Sequence, residues 1–489
     1  MAMAKILIIG GGVSGLSAGI YARLCGDEAI ICEKHLIAGG NLTGWDRGEY
    51  HIDNCIHWLT GTNPKTKMYK MWEELGALGN VDIYQGDTLF TSEYDGKQLS
   101  LSRDISKLEA DMLAVAPEDE KEIKRFIRAI KTVQGFEGIA GENHDEKISF
   151  FDIVRYAPRL IRYYRLSTGE LAKRFKSPAI RCFLTSFFTD KFMSLAVIFV
   201  FAHFCGDNGG IPKGSSCAMA ERMTERFLSL GGTLMLGKEA ERINLLNDRA
   251  TSVTFKDGSA IAADYIVVTT DPAVTFGKLL DVKMPSYLAR QYKNEALMRF
   301  SSLQSAFACD APSLPIKGDY AIEVPKKFRL RLRANYLIVR EFSHEKDFAP
   351  ENKNIIQTMT FCDESTSKKF IDLRRDKKTY SSIKRHLSDV IRQIIEEKFP
   401  ELRDKLKCLD VWTPATYNRY VSSEMGSYMS FAMRAKFTPT RLRNRLRGAK
   451  NVILATQWLQ APGGLPIAAR GGMLAIKEIM RKEHRSFAY

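Results

Sequence analysis

The 489-residue sequence lacks clusters of cysteine and histidine. Its nine cysteines are scattered without a C-x-x-C pair, and its eight histidines show no ligand spacing. Zinc sites need cysteine or histidine ligands at short, regular intervals, and a disulfide framework needs a dense, paired set of cysteines. We therefore expect no metal site, and cysteines that are reduced and serve in packing.

Long apolar runs are also missing. The longest one, at 192–205, falls short of the ~20 residues that a helix needs to cross a bilayer. Few residues precede the apolar run at 6–9, which leaves no room for the charged, apolar and cleavage regions of a secretory signal. The sequence therefore predicts a cytoplasmic protein without a transmembrane helix.

Acidic residues are outnumbered, with 57 Asp and Glu against 72 Lys and Arg and a net charge of +15. The segment 155–181 holds a single acid, Glu170, and helical spacing puts Arg155, Arg159 and Arg162 on one face beside apolar side chains. Such a face is typical of a helix in a membrane interface, although a solvated face of a core helix has the same pattern. We expect a peripheral protein on the anionic, inner face of a membrane. No nucleic-acid motif accompanies the charge, so we expect no nucleic-acid partner.

A glycine-rich turn follows the first apolar run. Residues 5–9 have the pattern of a buried strand, and Gly10, Gly12 and Gly15 then form G-x-G-x-x-G at the start of a helix. Gly10 permits a tight turn, Gly12 lets the backbone approach a pyrophosphate, and Gly15 lets the helix close onto the strand. A second strand ends at Glu33, where an acid accepts hydrogen bonds from both ribose hydroxyls and disfavours a 2′-phosphate. The sequence therefore predicts an α/β dinucleotide-binding unit of Rossmann type.

The segment after the second strand distinguishes the nucleotide. Gly39, Gly40 and Asn41 come next, and further glycine-rich segments lie at 209–216 and 461–472. At these residues the chain resembles the flavoprotein group of phytoene desaturases, carotenoid isomerases, retinol saturase and, more distantly, amine oxidases, although Asn41 stands where that group usually has arginine. The resemblance implies FAD as the cofactor. It also implies a Rossmann-type FAD/NAD(P)-binding domain, glutathione reductase-like, with an α+β substrate domain and a helical lid.

The same resemblance implies where the cofactor contacts lie. They are distributed over the glycine turn, the end of the second strand, the Gly-Gly pair, the returning strands and the C-terminal loop, and comprise Gly10, Gly12, Val13, Ser14, Gly15, Glu33, Lys34, Gly39, Gly40, Asn41, Ala240, Thr270, Gln457, Gly464, Leu465 and Pro466.

We expect the chain to be divided into three parts. A discontinuous FAD domain is expected at residues 1–60, 205–275 and 410–489. A substrate domain with a mixed sheet is expected at residues 61–105 and 276–409, and a membrane-facing helical lid at residues 106–204. Alternating residues in the substrate domain predict antiparallel strands at 328–333 and 335–340, and helical spacing predicts a long amphipathic helix at 380–399.

These features together predict an enzyme, an FAD-dependent oxidoreductase. The resemblance implies a long hydrophobic substrate of the polyene or isoprenoid type, which is desaturated, saturated or isomerised from cis to trans. Two alternatives stay open: an amine oxidase-type flavoenzyme acting on a small amine, and a non-catalytic FAD-containing protein that associates with a membrane. The flavin carries the hydride chemistry, so no catalytic side chain is required. His57 is the candidate for one, with a structural histidine as the alternative.

Overall fold

The structure of the chain is a computed structural model, and it describes residues 3–134, 158–437 and 443–489. Its strands are, in chain order, β1 (Lys5–Ile9), β2 (Glu28–Cys32), β3 (Gly44–Arg47), β4 (Tyr50–Asp53), β5 (Leu59–Thr60), β6 (Ile83–Tyr84), β7 (Thr88–Tyr94), β8 (Lys97–Ser102), β9 (Gly209–Pro212), β10 (Thr233–Met235), β11 (Ala240–Leu246), β12 (Arg249–Phe255), β13 (Ala260–Ala262), β14 (Tyr265–Val268), β15 (Leu297–Arg299), β16 (Ser301–Cys309), β17 (Asp319–Glu323), β18 (Tyr336–Glu341), β19 (Asn354–Cys362), β20 (Leu406–Trp412), β21 (Phe431–Met433), β22 (Arg445–Leu446) and β23 (Ala449–Leu454).

The helices connect and cover these strands. They are α1 (Val13–Leu24), α2 (Lys67–Glu74), α3 (Ile105–Val115), α4 (Glu120–Gln134), α5 (158–164), α6 (Thr168–Ala172), α7 (Pro178–Ser186), α8 (Ser194–Cys205), α9 (Ser215–Ser229), α10 (Pro272–Val274), α11 (Ser286–Tyr292), α12 (Lys326–Leu332), α13 (Glu364–Leu373), α14 (Lys377–Lys398), α15 (Pro414–Val421) and α16 (Leu465–Lys482).

The first large sheet has six strands in the order β10-β2-β1-β14-β23-β22. Strand β1 pairs in parallel with β2 and β14, and β14 pairs in parallel with β23. Both faces of β1 are buried: Ile6 and Ile8 pack with α1, α9 and α16, and Leu7 and Ile9 pack with the β11–β13 sheet. A strand buried on both faces must be apolar throughout, which explains the unbroken run in the sequence.

Helices α1 and α16, from opposite ends of the chain, pack closely against each other on one face of this sheet. Ser14 Oγ donates to the carbonyl of Ala468 (2.8 Å), and Ser17 Oγ donates to the carbonyl of Ala469 (2.6 Å). A Cβ atom at Gly472 would lie 2.4 Å from the carbonyl oxygen of Ser14. Only glycine fits at this crossing, and the contact fixes the start of α16 beside the start of α1.

The second large sheet has seven strands in the order β20-β16-β19-β18-β17-β7-β8. Its neighbouring strands are antiparallel except β17 and β7, which are parallel. One face packs under α14, with Leu387 and Ile391 in the shared core. On the other face, Ala321, Ile338 and Met359 pack with residues of α4, α7 and α8. The predicted α/β class, with a parallel Rossmann-type sheet and a second, mixed sheet, is confirmed.

One of the predicted strands is wrong. Residues 328–333 were expected to alternate along a strand. Residues 328–332 instead lie in helix α12, which follows Pro325, and Arg333 directly after the helix is in the left-handed region (φ 53°). Phe328 and Leu332 are buried, whereas Leu330 between them is 91% exposed. Apolar residues four apart share a helix face, and the intervening leucine imitated the alternation of a strand. The other two elements are confirmed as β18 and α14.

The basic segment 155–181 contributes to three short helices, α5, α6 and α7. Arg155 lies outside the described residues. Arg159 is exposed to solvent, whereas Arg162 Nη2 lies 2.8 Å from Glu122 Oε1 on α4. Among the described residues, none of the helices combines the length and the hydropathy that crossing a membrane requires.

The substitution Gly472→Ala tests the close crossing of α1 and α16. The added methyl group has to displace backbone atoms of α1, so we expect a loss of about 1–3 kcal/mol in the free energy of unfolding, measured by thermal unfolding. Gly277→Ala is the matched control, because a Cβ there meets none of the described atoms within 4 Å. Equal melting temperatures for the two variants would contradict this packing.

Candidate functional site

A cavity of about 3020 Å³ extends from the first sheet toward the second. At one end it is lined by residues at the carboxyl ends of β1, β2, β14 and β23, and at the other by Met359 and Phe361 of β19. In open parallel sheets, ligands bind in the crevice at this edge. The cavity is therefore the candidate functional site.

Bare backbone forms the floor of the cavity after β1. Gly10 has a φ of 102°, and a Cβ there would lie 2.4 Å from Thr269 Oγ1. Gly12 faces Gly39 and Gly40: a Cβ at Gly40 would approach Gly12 Cα to 3.2 Å, and a Cβ at Gly39 would meet the carbonyl of Leu42 at 2.2 Å. Side chains are thus excluded from this turn, and the backbone amides at the start of α1 stay accessible to an anion.

Glu33 stands at the end of β2 beside this floor. Its Oε2 accepts the N–H of Gly11 (2.7 Å), its Oε1 accepts the N–H of His35 (2.9 Å), and the side chain is buried. An ionised carboxylate has about four acceptor positions, so further ones remain for two hydroxyl groups. Its neighbour Lys34 donates from Nζ to Ser422 Oγ (2.6 Å), and burial lowers the pKa of this lysine.

The C-terminal loop forms a further part of the same wall. Gln457 Oε1 accepts the N–H of Gly464 (2.9 Å), and Leu465 and Pro466 then begin α16. The backbone N–H of Gly464, just before this helix, is thus already bonded to the side chain of Gln457. The loop is therefore held in shape by the side chain that was predicted to contact the cofactor.

The predicted cofactor residues are brought together, with one exception. The cavity wall contains Gly10, Gly12, Val13, Ser14, Glu33, Lys34, Gly39, Gly40, Asn41, Ala240, Thr270, Gln457, Gly464, Leu465 and Pro466. Gly15 is absent from that wall, and a Cβ at this position would lie 1.9 Å from the carbonyl oxygen of Gly10. Its place in the motif is explained by packing of α1 on the turn. The amide of Asn41 also has a second task, since its Nδ2 donates to the carbonyl of Tyr428 (2.8 Å).

The sequence analysis missed a polar cluster on the wall. Asp271 accepts hydrogen bonds from the hydroxyl of Tyr292 and from the N–H groups of Ala273 and Glu424, and burial raises its pKa. Tyr292 in turn stacks on Trp458, with centroids 5.8 Å apart. The Asp-Pro pair after β14 is a recognisable helix start, but the tyrosine that meets it comes from α11 and has no local signal.

Aromatic rings form the far end of the cavity. Phe187, Phe188, Phe192, Phe300 and Phe361, here called the aromatic ladder, all line it. Successive ring centroids are 5.1 Å (Phe187 to Phe188), 6.4 Å (Phe188 to Phe192) and 5.5 Å (Phe192 to Phe300) apart, and Phe361 lies 5.3 Å from Phe300. Offset and edge contacts at these distances are favourable and leave a continuous apolar wall.

Besides His35, which follows Lys34, two histidines line the same cavity. His203 lies on α8, and burial lowers its pKa to about 4, so the ring is neutral at pH 7. His57 stands at the start of the ladder: its ring centroid is 6.5 Å from that of Phe187, and its Nδ1 lies 2.9 Å from Asp319 Oδ2. No group of three or more metal-ligating side chains occurs within the described ranges.

Comparison with known proteins identifies the class. The chain belongs to the flavin containing amine oxidoreductase family, whose model matches residues 13–301. It is 23% identical over 443 residues to prolycopene isomerase 1, chloroplastic, of an Oncidium hybrid cultivar, covering 86% of this chain and 74% of that protein. It is 23% identical over 290 residues to a lycopene-forming phytoene desaturase of Pseudescherichia vulneris, covering 57% and 58%.

Solved structures share the fold. An oxidoreductase from Methanosarcina mazei matches with a TM-score of 0.62 at 15% identity, covering 97% of this chain and all of that one. Cyclohexylamine oxidase from Brevibacterium oxydans IH-35A matches with a TM-score of 0.59 at 14% identity, covering 99% and 100%. Its membership of the flavin containing amine oxidoreductase family makes the chain an FAD-dependent oxidoreductase. The side-chain-free floor at Gly12, Gly39 and Gly40 beside the Glu33 carboxylate fits this cofactor.

The substitution Glu33→Gln tests the cofactor site. It removes the charge at nearly constant shape, and hydrogen bonds to a charged group contribute about 1.5–3 kcal/mol, so we expect FAD affinity to fall about tenfold or more. Flavin fluorescence during titration of the apoprotein with FAD measures the dissociation constant. Glu28→Gln, at the other end of β2, is the control and should bind FAD as the wild type does. An unchanged affinity in Glu33→Gln would refute the assignment.

Proposed function

We propose that this oxidoreductase acts on a long hydrophobic lipid of the polyene or isoprenoid type, by desaturation, saturation or cis–trans isomerisation. The aromatic ladder carries the proposal, because it lines the cavity that also contains the predicted cofactor residues. An extended apolar molecule placed along these rings would be stabilised by about 25 cal/mol for each Å² of apolar surface removed from water. The names of the relatives, a prolycopene isomerase and a phytoene desaturase, agree with such a substrate.

A small amine is a poorer match to this wall. Primary amines are protonated at neutral pH, and a buried cation needs a carboxylate partner. Near the ladder, the carboxylate of Asp319 already lies 2.9 Å from His57 Nδ1 and 3.4 Å from Arg340 Nε. Among the described residues near the ladder, this acid is thus already paired, which disfavours the amine oxidase alternative.

The residues of the chain would divide the work between the two ends of the cavity. Glu33 and the backbone of Gly10 and Gly12 would hold the ribose and diphosphate, and Gln457 would fix the loop before α16. When bound, FAD supplies the hydride-transfer chemistry. The ladder would orient the substrate along one direction and exclude water from the reacting region. We further propose the domain division 1–60, 205–275 and 410–489 for FAD, 61–105 and 276–409 for substrate, and 106–204 for the lid.

Product mass tests the reaction. We expect the FAD-loaded protein, tested with the cofactor oxidised and reduced, to convert a cis-configured C40 polyene. Desaturation would lose two hydrogens to oxidised FAD, saturation would gain two from reduced FAD, and isomerisation would leave the mass equal and alter the retention. Phe192→Ala opens the middle of the ladder and should lower the conversion rate about tenfold, while Phe276→Ala, a partly buried ring away from the cavity wall, is the control. Oxidation of a short primary amine with the polyene unchanged would favour the amine oxidase alternative instead. An FAD-loaded protein that converts neither compound would favour the non-catalytic alternative.

We also propose that the substrate is drawn from an anionic membrane surface. Lys283, Arg290 and Lys293 are exposed and line the cavity, forming a basic rim around it. Tyr164 at the end of α5 and Tyr292 of α11 pack against the same apolar cluster, and the exposed Arg159 of α5 would add to this basic rim. Basic side chains near an anionic bilayer each contribute about 1 kcal/mol, and apolar lipids reside in such bilayers.

Vesicle flotation tests the membrane contact. The wild type should float with vesicles that contain phosphatidylserine and be released at high salt, because the attraction is screened. Reversal of the rim in Lys283→Glu/Arg290→Glu/Lys293→Glu should abolish flotation. The control reverses three exposed charges on α13 and just after it, Lys368→Glu/Lys369→Glu/Arg374→Glu, and should float like the wild type. A wild type that ignores anionic vesicles would overturn this proposal.

A further inference from the structure

His57 lines the cavity and carries a shielded nitrogen that has no partner among the described residues. Its side chain is only 7% exposed, and its Nε2 has no hydrogen-bond partner among the described residues. Neighbouring wall residues are apolar rings, Trp58 at 6.4 Å and Phe187 at 6.5 Å between centroids. A buried acceptor without a partner costs about 1–3 kcal/mol, so a ligand atom that satisfies it would gain affinity and be selected.

The other ring nitrogen fixes what Nε2 can do. Asp319, which also lies 3.4 Å from Arg340 Nε, accepts from the Nδ1–H of His57 (2.9 Å), because a carboxylate can only accept hydrogen bonds. Burial and the Arg340 charge lower the pKa of His57, although Asp319 opposes them. A neutral ring with its proton on Nδ1 leaves a lone pair on Nε2. This nitrogen is therefore a hydrogen-bond acceptor.

The loop that carries His57 is held by three other elements. The N–H of Ile56 donates to Ser216 Oγ (2.9 Å), and its carbonyl accepts from Arg340 Nη2 (2.6 Å). The carbonyl of Cys55 accepts from the hydroxyl of Tyr428 (2.8 Å). Such fixation of the backbone directly before a side chain is expected where its position matters for a ligand.

We propose that His57 Nε2 accepts a hydrogen bond from a hydroxyl group of the substrate, so that the preferred substrate is a long apolar molecule bearing an alcohol rather than a pure hydrocarbon. Asp319 and Arg340 are positioning residues that set the tautomer of the ring. The inference rests on the proposed function, and adds to it the polar group that would fix the position of an apolar chain along the ladder.

Matched ligands test this inference on the FAD-loaded protein. The probes are an all-trans C20 polyprenol and its methyl ether, which has the same chain but no donor, with binding measured by quenching of tryptophan fluorescence. We expect the alcohol to bind about tenfold more tightly than the ether, the effect of one hydrogen bond. His57→Phe should reduce this ratio to about one while keeping the affinity for the ether. His203→Phe, which replaces another imidazole of the cavity wall by the same phenyl ring, should keep the alcohol-to-ether ratio.

The substitution Asp319→Asn distinguishes the positioning of the His57 ring from a general loss of structure. Its amide can donate to Nδ1 and move the ring proton to Nε2, so the alcohol-to-ether ratio should fall about tenfold with the visible flavin spectrum and the ether affinity retained. Equal binding of both probes by the wild type would overturn the inference alone, and would indicate that water satisfies Nε2. Binding of neither probe would overturn the proposed apolar substrate as well.

Discussion

The close approach of bare backbone at the first glycine turn is the constraint on which the rest of the site depends. A side chain at Gly10, Gly39 or Gly40 would collide with its surroundings, so the amides at the start of α1 remain open to a diphosphate. The crossing of α1 and α16 at Gly472 then brings the C-terminal loop to the same wall. A site made from both chain ends follows from the packing of two helices.

The cavity joins two regions of opposite chemistry. One region offers amides and the Glu33 carboxylate, which suit a charged, hydroxylated nucleotide. The other offers the aromatic ladder, with neutral His203 beside it on the wall. Three rings of the ladder, Phe187, Phe188 and Phe192, lie in the connection between α7 and α8. Phe300 lies just before β16, and Phe361 lies on β19 of the second large sheet. A redox cofactor held at one end can thus meet an apolar molecule enclosed at the other.

The sequence predicted the parts of this site that are local. Glycine spacing, the acid after the second strand and the resemblance to flavoproteins anticipated fifteen wall residues, since each lies in a contiguous motif. Contacts between distant segments could not be predicted: Asp319 meets His57 from 262 positions away, and Tyr292 meets Asp271 from another helix. The misassigned helix α12 shows a second limit, because a short apolar alternation fits both periods. Tertiary packing, which buries Phe328 and Leu332 and leaves Leu330 exposed, selected the helical period.

A crystal structure of the FAD-loaded protein tests the central claim most directly. The account predicts nucleotide density along the Gly10–Gly12 turn, with the ribose hydroxyls against Glu33 and the opposite end of the cofactor entering the region lined by the aromatic ladder. Density for FAD elsewhere, or a ladder separated from the cofactor by protein, would contradict it.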